Sequence, residues 1–346
     1  MKIERWKNVR NYDITTLRNH VITMLSLVLL AGCSPRVATS FWRIGTPADS
    51  MRPGYAVLHE GKKVRHCYPI TEWTDTPDND TYHGLHHHGV AVESEQMAYR
   101  IYFDKKQTVD VYCKRKPQLE LATSYWYPND SLLTEGYGDD ILRVSGTVGV
   151  GSVKYWDGKF RHIENLAERT QQIVKQTRNK ATIRVSAGEW LTEEGRVFLH
   201  TDYTMLAGHR DMRCDVMVDL PTERLCTGVQ TIPAKGGKDT ISIILPNGIL
   251  LASWGTDWPV NDTVKYAKET VGLGVFIPKQ YAGQMVHDKS NNLCLLKLSA
   301  DNRKHPEWYR AHFYLTVCGA TKENHPVATN ATEWLEYLRR WAAKLK

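Results

Sequence analysis

The densest group of titratable side chains in the sequence is a histidine cluster. It comprises His83, His86, His87 and His88, and Glu93 follows it. If the segment is a strand, His86 and His88 share one face and His87 lies on the other, because successive side chains of a strand alternate. Two imidazoles on one face can bind a divalent metal or, when protonated, hold an anionic group. The alternative is a polar loop in which backbone groups satisfy the histidines.

A tyrosine and an arginine follow side by side in a run typical of a strand, residues 98–103. Tyr99 and Arg100 face opposite sides of such a strand, so only one of them lines a given cleft. The guanidinium of Arg100 can bind a substrate carboxylate through two parallel hydrogen bonds. The alternative is a cross-strand ion pair, for which Asp104 and Asp110 are the candidate partners.

A third group lies after Tyr203, in the sequence Gly208-His209-Arg210-Asp211. This predicted turn between two strands brings an acid–base group, a fixed cation and a hydrogen-bond acceptor within four residues. Such a turn can move a proton beside an anionic group. The alternative is a hairpin turn held by its own salt bridge.

A fourth group is rich in tryptophan. Trp254 and Trp258 flank Asp257, and Lys265 and Tyr266 follow. Indole rings near polar side chains can form a loop that stacks on sugar rings. Core tryptophans beside turn-forming Asp and Asn residues would give the same pattern.

The elements that must position these groups are short strands rich in β-branched and aromatic residues. They are residues 98–103, 107–112, 181–186, 197–203, 214–219, 241–245 and 312–317. Several alternate apolar and polar residues, which is typical of half-buried antiparallel strands. Asn247-Gly248 and Asp157-Gly158 are typical of two-residue hairpin turns. The pattern predicts an all-β protein, with one large antiparallel β-sandwich over residues 41–346.

Helices are scarce in the pattern. Glu164–Lys175 is a candidate for one helical turn or more, although its apolar positions are sparse. A short C-terminal helix is predicted with Thr332 as its N-cap, and it is expected to pack on the sheet. Its apolar stripe consists of Trp334, Leu335, Leu338, Trp341 and Leu345.

Residues 1–32 have the features of a bacterial lipoprotein signal peptide. A basic segment precedes an apolar run of eleven residues, Val21–Ala31, which is too short to span a bilayer as a helix. Leu30-Ala31-Gly32-Cys33 then matches a lipobox. The sequence predicts cleavage before Cys33, lipidation of Cys33 and a tether over residues 33–40. The expected location is lipid-anchored, in the periplasm or outer membrane of a Gram-negative bacterium.

Composition narrows the class of ligand. Removing residues 1–32 takes away five positive and two negative charges and lowers the net charge from +7 to +4. The chain has no blocks of Lys or Arg, so nucleic acid is not indicated. Eleven Trp and seventeen Tyr against six Phe favour carbohydrate, because these rings join an apolar face to a hydrogen-bonding edge. A Walker A motif, GxSxG, HExxH and a dinucleotide fingerprint are missing from the sequence, so no nucleotide cofactor is expected.

Six cysteines remain besides Cys33. Cys214 and Cys226 are the pair close enough in sequence to suggest a disulfide. The alternative is that both are free cysteines of the core.

Longer motifs resemble a domain-of-unknown-function family of secreted proteins from polysaccharide-degrading bacteria. The motifs are LHHHGVAVESEQMAYRIYFD at 85–104, YGDD at 137–140, AGHRD at 207–211, CTGVQ at 226–230 and WGTDWPVNDTVKYAKETVG at 254–272. The similarity runs from about residue 40 to the C-terminus. The resemblance implies a galactose-mutarotase-like β-supersandwich. It also implies an oligosaccharide dehydratase of a glycan-utilisation locus, which converts a non-reducing-end uronate to a 4,5-unsaturated sugar.

Such a dehydration needs a base for the C5 proton, an acid for the departing C4 hydroxyl and a cation against the carboxylate. The candidates are Arg100 or Arg210 as the cation, His209, His86 or His88 as the base, and Tyr203 or Tyr99 as the acid. The side chains expected to bind the sugar are Glu93, Asp139, Asp140, Trp254, Asp257, Trp258, Lys265 and Tyr266.

The expected ligand is therefore an anionic, uronate-containing oligosaccharide. A divalent metal at His86 and His88 is the cofactor considered, although the chemistry does not require one. Four other functions stay open: a polysaccharide lyase, a sugar epimerase, a glycoside hydrolase with paired carboxylates, and a non-catalytic glycan-binding protein of the cell surface.

Overall fold

The computed structural model describes residues 36–60, 63–76, 81–124, 126–233, 240–301 and 305–345. The predicted signal peptide, Cys33 and the start of the predicted tether lie outside the described residues. Arg36–Lys346 forms one compact unit. Val37–Ser40, which the sequence assigned to the tether, is instead a strand paired with Gly89–Ser94.

The described residues contain 23 strands and two α-helices. The strands are β1 Val37–Ser40, β2 Trp42–Gly45, β3 Ala56–Glu60, β4 Lys63–Pro69, β5 Glu72–Asp75, β6 Gly89–Ser94, β7 Met97–Tyr102, β8 Val109–Cys113, β9 Asp139–Asp140, β10 Lys154–Trp156, β11 Phe160–Arg161, β12 Glu168–Gln176, β13 Lys180–Thr192, β14 Gly195–Leu206, β15 Met212–Val218, β16 Leu225–Gln230, β17 Thr240–Leu245, β18 Gly248–Asp257, β19 Glu269–Pro278, β20 Ala282–His287, β21 Asn291–Leu296, β22 Ser299–Asp301 and β23 His305–Gly319. The helices are α1 Asp130–Thr134 and α2 Ala331–Ala342.

The strands form four antiparallel sheets. The largest has ten strands, in the order β17-β18-β19-β23-β15-β14-β13-β12-β5, with β22 paired to β23. A five-stranded sheet with the order β1-β6-β7-β8-β9, called the site sheet below, carries the histidine and Tyr-Arg motifs. The others have the orders β11-β10-β16-β21-β20 and β2-β4-β3. The predicted all-β, antiparallel fold with a short C-terminal helix is confirmed.

The two faces of β7 have different surroundings. Met97, Tyr99 and Ile101 belong to the main hydrophobic core, whereas Ala98 belongs to a small apolar cluster on the opposite face. Arg100 lies on that opposite face with Ala98, as the alternation of a strand requires. The core therefore holds β7 in place while its other face is left for polar groups.

Helix α2 packs on the ten-stranded sheet, as predicted. A Cβ atom at Gly272 would lie 2.7 Å from the Trp334 ring, so glycine lets helix and sheet approach closely. The predicted N-cap is wrong by two residues: the side chain of Asn330, not Thr332, accepts the hydrogen bond from the backbone N–H of Glu333. Asn is as effective an N-cap as Thr, and sequence patterns locate helix ends less well than helices.

Two other local predictions are wrong and two are confirmed. The candidate helix at Glu164–Lys175 is largely strand β12, whose alternate residues Arg169 and Gln171 are buried. Cys214 and Cys226 are both free and buried, and they lie on strands of different sheets. Both predicted hairpins are present, but their turns differ from the prediction. Leu245 pairs with Gly248, so the first turn consists of residues 246–247, and Trp156 pairs with Phe160 across three residues, 157–159. In the described part of the chain, no helix is long and apolar enough to cross a membrane.

Candidate functional site

The outer face of the site sheet holds a buried arginine. Arg100 lies opposite Asp110 in the register of β7 and β8, and its side chain is fully buried. Residues 114–124 and 126–138 pass over this face, where the carbonyl oxygen of Trp126 accepts hydrogen bonds from Arg100 Nη1 at 2.8 Å and from the Tyr112 hydroxyl at 2.7 Å. Strand and overlying segment are thus joined through one guanidinium.

Arg100 serves two carboxylates. Its Nε and Nη2 atoms donate to Asp110 Oδ2, and Nη2 also donates to Asp140 Oδ2 at 2.9 Å. The Tyr102 hydroxyl donates to the same Asp110 oxygen at 2.8 Å. The ion pair with Asp110 was one of the predicted alternatives, and it excludes Arg100 as a clamp for a substrate carboxylate. The guanidinium is already occupied and has no exposed surface.

One cation against two buried carboxylates leaves an excess of negative charge. Burial and the repulsion of Asp110 raise the pKa of Asp140 well above its usual range, although Arg100 opposes the shift. Asp110 Oδ1 is buried and has no hydrogen-bond partner among the described residues. Two carboxylates beside one guanidinium repel each other, so Asp140 holds a proton more tightly than an exposed carboxyl group does.

The three histidines form a tight turn and not a strand, and all three bond backbone carbonyl groups, as in the alternative interpretation. His86–His88 is a 3-10 turn in which His87 and His88 have φ angles of 57° and 60°. The backbone N–H of Phe103 donates to the carbonyl of His88 at 2.8 Å and holds the turn against the end of β7. Gly89 follows because a Cβ there would lie 2.1 Å from the carbonyl oxygen of Ile101. Non-glycine residues with such φ angles are uncommon and gather at functional sites.

Two of these histidines are structural. His86 Nε2 bonds the carbonyl of Ser124 at 2.9 Å, and His87 Nε2 bonds the carbonyl of Leu121 at 2.8 Å. The two rings stack 4.1 Å apart in the interior. They anchor the overlying segment, so the predicted roles of His86 as a base and as a metal ligand are wrong. The described residues contain no group of three or more His, Cys, Asp or Glu able to hold a metal ion.

His88 differs from its neighbours because its side chain is only half-buried, whereas those of His86 and His87 are buried. Its ring is stacked on Tyr82, with centroids 3.9 Å apart, and on Trp126 at 4.7 Å. Nδ1 bonds the carbonyl oxygen of Tyr82 at 3.1 Å. Because a carbonyl only accepts, Nδ1 carries the proton and Nε2 presents a lone pair. Burial, opposed by this hydrogen bond and aided by the charge of Arg100, lowers the pKa of His88 to about 4.

Three tyrosines lie around this imidazole and the Arg100 cluster. Tyr82 and Tyr127 are half-buried, and their hydroxyls form no hydrogen bond with any described residue. Burial, together with the charge of Asp140, raises the pKa of Tyr127, and burial with nearby carboxylates raises that of Tyr82 to about 12. Tyr266 lies 6.4 Å from Tyr127 between ring centroids, and its pKa is raised by burial and by Asp139 and Asp140.

This arrangement can move protons. It offers a neutral imidazole with an available lone pair beside phenol groups that stay protonated at neutral pH, behind which lies a buried carboxyl pair. A base and an acid on different elements are what an elimination or an epimerisation requires. The site is built from the histidine turn, β7 to β9, the segment over the sheet and the loop after β18.

The predicted residues Tyr99, Tyr203, His209 and Arg210 lie elsewhere. Tyr203 is buried in the main core, and the Tyr99 hydroxyl donates to the backbone carbonyl of Arg210 at 2.5 Å. Arg210 is buried and donates two hydrogen bonds to Glu323, at 3.0 and 3.1 Å. None of the three can reach a substrate, because each side chain is enclosed by the fold. The proposed roles of Tyr99, Tyr203 and Arg210 in catalysis are therefore wrong.

His209 is on the turn predicted between two strands, here β14 and β15. Its imidazole is half exposed and bonds Asp211 at 3.1 Å. This hydrogen bond raises the pKa of His209. The structure therefore shows the salt-bridged turn that was the alternative interpretation. This turn lies on the Tyr99 side of β7, opposite the side on which Arg100 lies.

Glu93 is also structural. It is buried and accepts hydrogen bonds from Lys114 Nζ and from the backbone N–H groups of Glu120 and Leu121, the latter two at 2.8 and 3.0 Å. These contacts hold the beginning of the segment over the site sheet. Glu93 has no capacity left for a sugar, so its predicted role in substrate binding is wrong.

The tryptophan-rich segment is divided between two places. Trp254 packs with the cluster beneath helix α2, and Asp257 forms an ion pair with Arg143 at 2.9 Å. Trp258 lies after β18 with Lys268 Nζ 4.0 Å from its ring centroid. Trp254 and Trp258 therefore do not form one stacking platform, and Trp254 is a packing residue. Lys265, whose ammonium lies 5.4 Å from the Tyr266 ring, remains exposed beside the candidate site.

The structure brings together six predicted residues: His88, Arg100, Asp139, Asp140, Lys265 and Tyr266. Asp139 is buried, lies 3.7 Å from Lys322 Nζ and neighbours Asp140 in β9. Tyr82, Trp126 and Tyr127 were missed. Their sequence signals were the most polar loop of the chain, which ends at Tyr82-His83, and the aromatic run Trp126-Tyr127 before Pro128.

Comparison with known proteins identifies the family. Residues 51–346 match the family model described as a domain of unknown function, DUF4861. The chain belongs to this family. The sequence motifs had indicated a domain-of-unknown-function family. No curated protein matches the sequence.

Two solved structures are similar to the chain, both distantly. A protein in glycosyl hydrolase family 38 from Enterococcus faecalis has a TM-score of 0.37 and 10% identity over 93% of this chain. The match covers 42% of that protein, so the chain spans less than half of its length. A putative aldose 1-epimerase from Klebsiella pneumoniae subsp. pneumoniae has a TM-score of 0.37 and 8% identity, over 89% of this chain and 96% of that one. At such TM-scores neither similarity informs the activity.

Proposed function

We propose that this chain is a carbohydrate-active enzyme that removes water from the non-reducing-end uronate of an oligosaccharide and leaves a 4,5-unsaturated sugar. The proposal rests above all on His88. Its Nδ1 proton is committed to the Tyr82 carbonyl, and Nε2 has no partner among the described residues. An imidazole in this state can accept a proton from a carbon acid.

The reaction divides between His88 and a tyrosine. His88 Nε2 takes the C5 proton, and the electron pair of the C5–H bond forms the C4–C5 double bond. The C4 hydroxyl leaves as water with a proton from the hydroxyl of Tyr82 or Tyr127. A proton transfer from the imidazolium to the phenolate then restores the starting state. Both tyrosines begin protonated because burial raises their pKa.

A cation must face the substrate carboxylate, because neutralising that charge makes the C5 proton more acidic. Arg100 is consumed by Asp110 and Asp140, so we assign this role to Lys265. Its side chain is exposed, and its ammonium lies 5.4 Å from the centroid of the Tyr266 ring.

The proposal includes a location. The sequence of residues 1–33 supports secretion and a lipid anchor at Cys33, and oligosaccharides released from polysaccharides are available outside the cytoplasm. A surface-anchored enzyme would meet its substrate there before import.

The activity is tested by incubating the purified chain with oligosaccharides that end in glucuronate, iduronate or galacturonate. Ultraviolet absorbance and product mass are followed together. New absorbance with the loss of one water and no chain cleavage is the expected result. Absorbance with shorter chains would identify a lyase, and an isomer of unchanged mass an epimerase, both of which use the same base. Binding without turnover would identify a glycan-binding protein.

The role of His88 is tested by His88→Asn. Asn tolerates the positive φ angle of this position but cannot act as a base, so kcat should fall by about 10²- to 10⁴-fold while substrate binding persists. His209→Asn is the matched control, because His209 lies on an exposed turn away from the site. Equal activity of both variants and the unchanged chain would remove His88 from the mechanism.

A further inference from the structure

Away from the candidate site, two buried cations lie close together without a carboxylate partner. Lys154 of β10 has no exposed surface, and Arg169 of β12 is 2% exposed. Neither forms an ion pair with any described residue. Lysine and arginine are almost never buried in this way unless a negative charge compensates them.

Both cations lie near the hairpin turn between β7 and β8. In β12, Gln171 is two residues from Arg169 and donates through Nε2 to the carbonyl of Ile101, near the end of β7, at 2.9 Å. Lys154 Nζ donates to the carbonyl of Lys106 in this turn and to Thr108 Oγ1, the latter at 3.3 Å. Arg169 donates through Nη2 to the carbonyl of Ile163 at 3.2 Å. The charge of Arg169 helps burial to lower the pKa of Lys154 to about 7, so the two groups lie within electrostatic reach of each other.

The nearby carboxylate, Asp104, does not balance this charge. It accepts the backbone N–H groups of Lys106 and Gln107, at 2.9 and 3.0 Å, and its other oxygen lies 3.8 Å from Lys106 Nζ. Asp104 therefore faces a third cation and caps the turn. Burial lowers the pKa of Arg169 to about 10 despite Asp104 and Glu164.

Unmet donors converge on the same region. Arg169 Nη1 and Gln107 Nε2 are buried and have no hydrogen-bond partner. Buried donors are almost always satisfied in folded proteins. A single acceptor that carries negative charge would satisfy these donors and the excess positive charge together.

We propose that Lys154, Arg169 and Gln107 enclose a small inorganic anion of the halide class, which is taken up on folding. The donor atoms are sealed from solvent, which excludes a substrate-sized ligand. The site is separate from the histidine turn and the Arg100 cluster, so it stabilises the fold and takes no part in turnover.

The test compares the thermal stability of the purified chain in sodium chloride and in sodium gluconate at equal ionic strength, since gluconate is too large to be enclosed. A bound anion should raise Tm by about 2–3 °C for each tenfold increase in chloride. Crystals grown with bromide should give an anomalous peak between Arg169 and Gln107. Identical Tm values in both salts, with no anomalous peak, would show that water satisfies these donors and would overturn the proposal.

Variants separate the site from general salt effects. Gln107→Glu supplies a negative acceptor within the chain, so it should abolish the dependence of Tm on chloride without a loss of folding. Arg169→Met should also abolish it if the variant folds. Arg184→Met is the matched control, because Arg184 is paired with Asp202 at 2.6 Å and lies outside the cluster. It should keep the full response to chloride, and a loss of the response there would contradict the assignment.

Discussion

At the scale of single residues, backbone carbonyl groups decide what each histidine can do. His86 and His87 use Nε2 to bond the carbonyls of Ser124 and Leu121, whereas His88 uses Nδ1 to bond that of Tyr82. The other ring nitrogen of His86 and of His87 is buried in the interior, whereas the side chain of His88 is only half-buried. Access from solvent, rather than the number of histidines, makes His88 the candidate base.

The pH dependence of activity follows from this environment. Protonation of His88 removes the base, and burial lowers its pKa to about 4, below the ordinary value of about 6.5. The acid limb of kcat/KM should therefore fall near pH 4, with activity gained as pH rises through that value. Tyr82, with its pKa raised to about 12, stays protonated across the measurable range. Rates on the uronate panel from pH 3 to pH 10, with folding followed by circular dichroism, provide the measurement.

The control for this profile is the fold itself. Loss of the circular dichroism signal at the same pH as the loss of activity would assign the limb to unfolding. An acid limb between pH 6 and pH 7 in the folded protein would contradict the role of His88. It would direct attention to a histidine with a higher pKa, such as His209, whose pKa Asp211 raises.

At the scale of the elements, one segment connects most of the site. Residues 114–124 and 126–138 supply Trp126 and Tyr127 and lie over the outer face of the site sheet. Arg100 holds this segment from below through the Trp126 carbonyl, and Glu93 holds its beginning. The site therefore depends on anchors that are themselves remote from the reacting atoms.

Removing the anchor at Glu93 should cost stability. In Glu93→Gln the ammonium of Lys114 loses its charged partner in the interior. One of the two carboxylate oxygens that accept the backbone N–H groups of Glu120 and Leu121 is also replaced by an NH2 group, which cannot accept. We expect a loss of about 2–4 kcal/mol in the free energy of unfolding, measured by urea denaturation. Glu336→Gln, at an exposed ion pair of helix α2, should leave the midpoint nearly unchanged. A Glu93→Gln midpoint equal to that of this control would show that the buried pair contributes nothing.

Local periodicity predicted the strands and failed where the backbone departs from it. The alternation at Tyr99 and Arg100 is a property of any strand, so their opposite faces could be predicted without the fold. The positive φ angles at His87 and His88 have no periodic signal, so the sequence could not decide between a strand and a loop at these two residues. The hydrogen-bond partners of Arg100 come from β8, β9 and the overlying segment. Local sequence patterns do not predict where these elements lie relative to β7.

At the scale of the whole molecule, distant parts of the sequence meet in the candidate site. Tyr82, Asp140 and Tyr266 come from three regions more than fifty residues apart, and the sheets bring them within electrostatic range of one another. Family motifs pointed to His88 and Asp140 because they lie within the matched region, but they also pointed to Arg210, which stabilises the fold. A motif marks a constrained position, and only the surroundings distinguish packing from chemistry.

The expected location of the molecule can be tested independently of its activity. If Cys33 receives a lipid, the chain expressed with its own N-terminus in a Gram-negative host should incorporate labelled palmitate and fractionate with membranes. Cys33→Ala removes the thiol that carries the lipid, so label should disappear and the protein should not behave as a processed lipoprotein. Ser34→Ala is the matched control, because the change leaves the lipobox Leu30-Ala31-Gly32-Cys33 intact. Label retained in Cys33→Ala, or absent from the unchanged chain, would contradict the anchor and would leave the proposed dehydratase without its surface location.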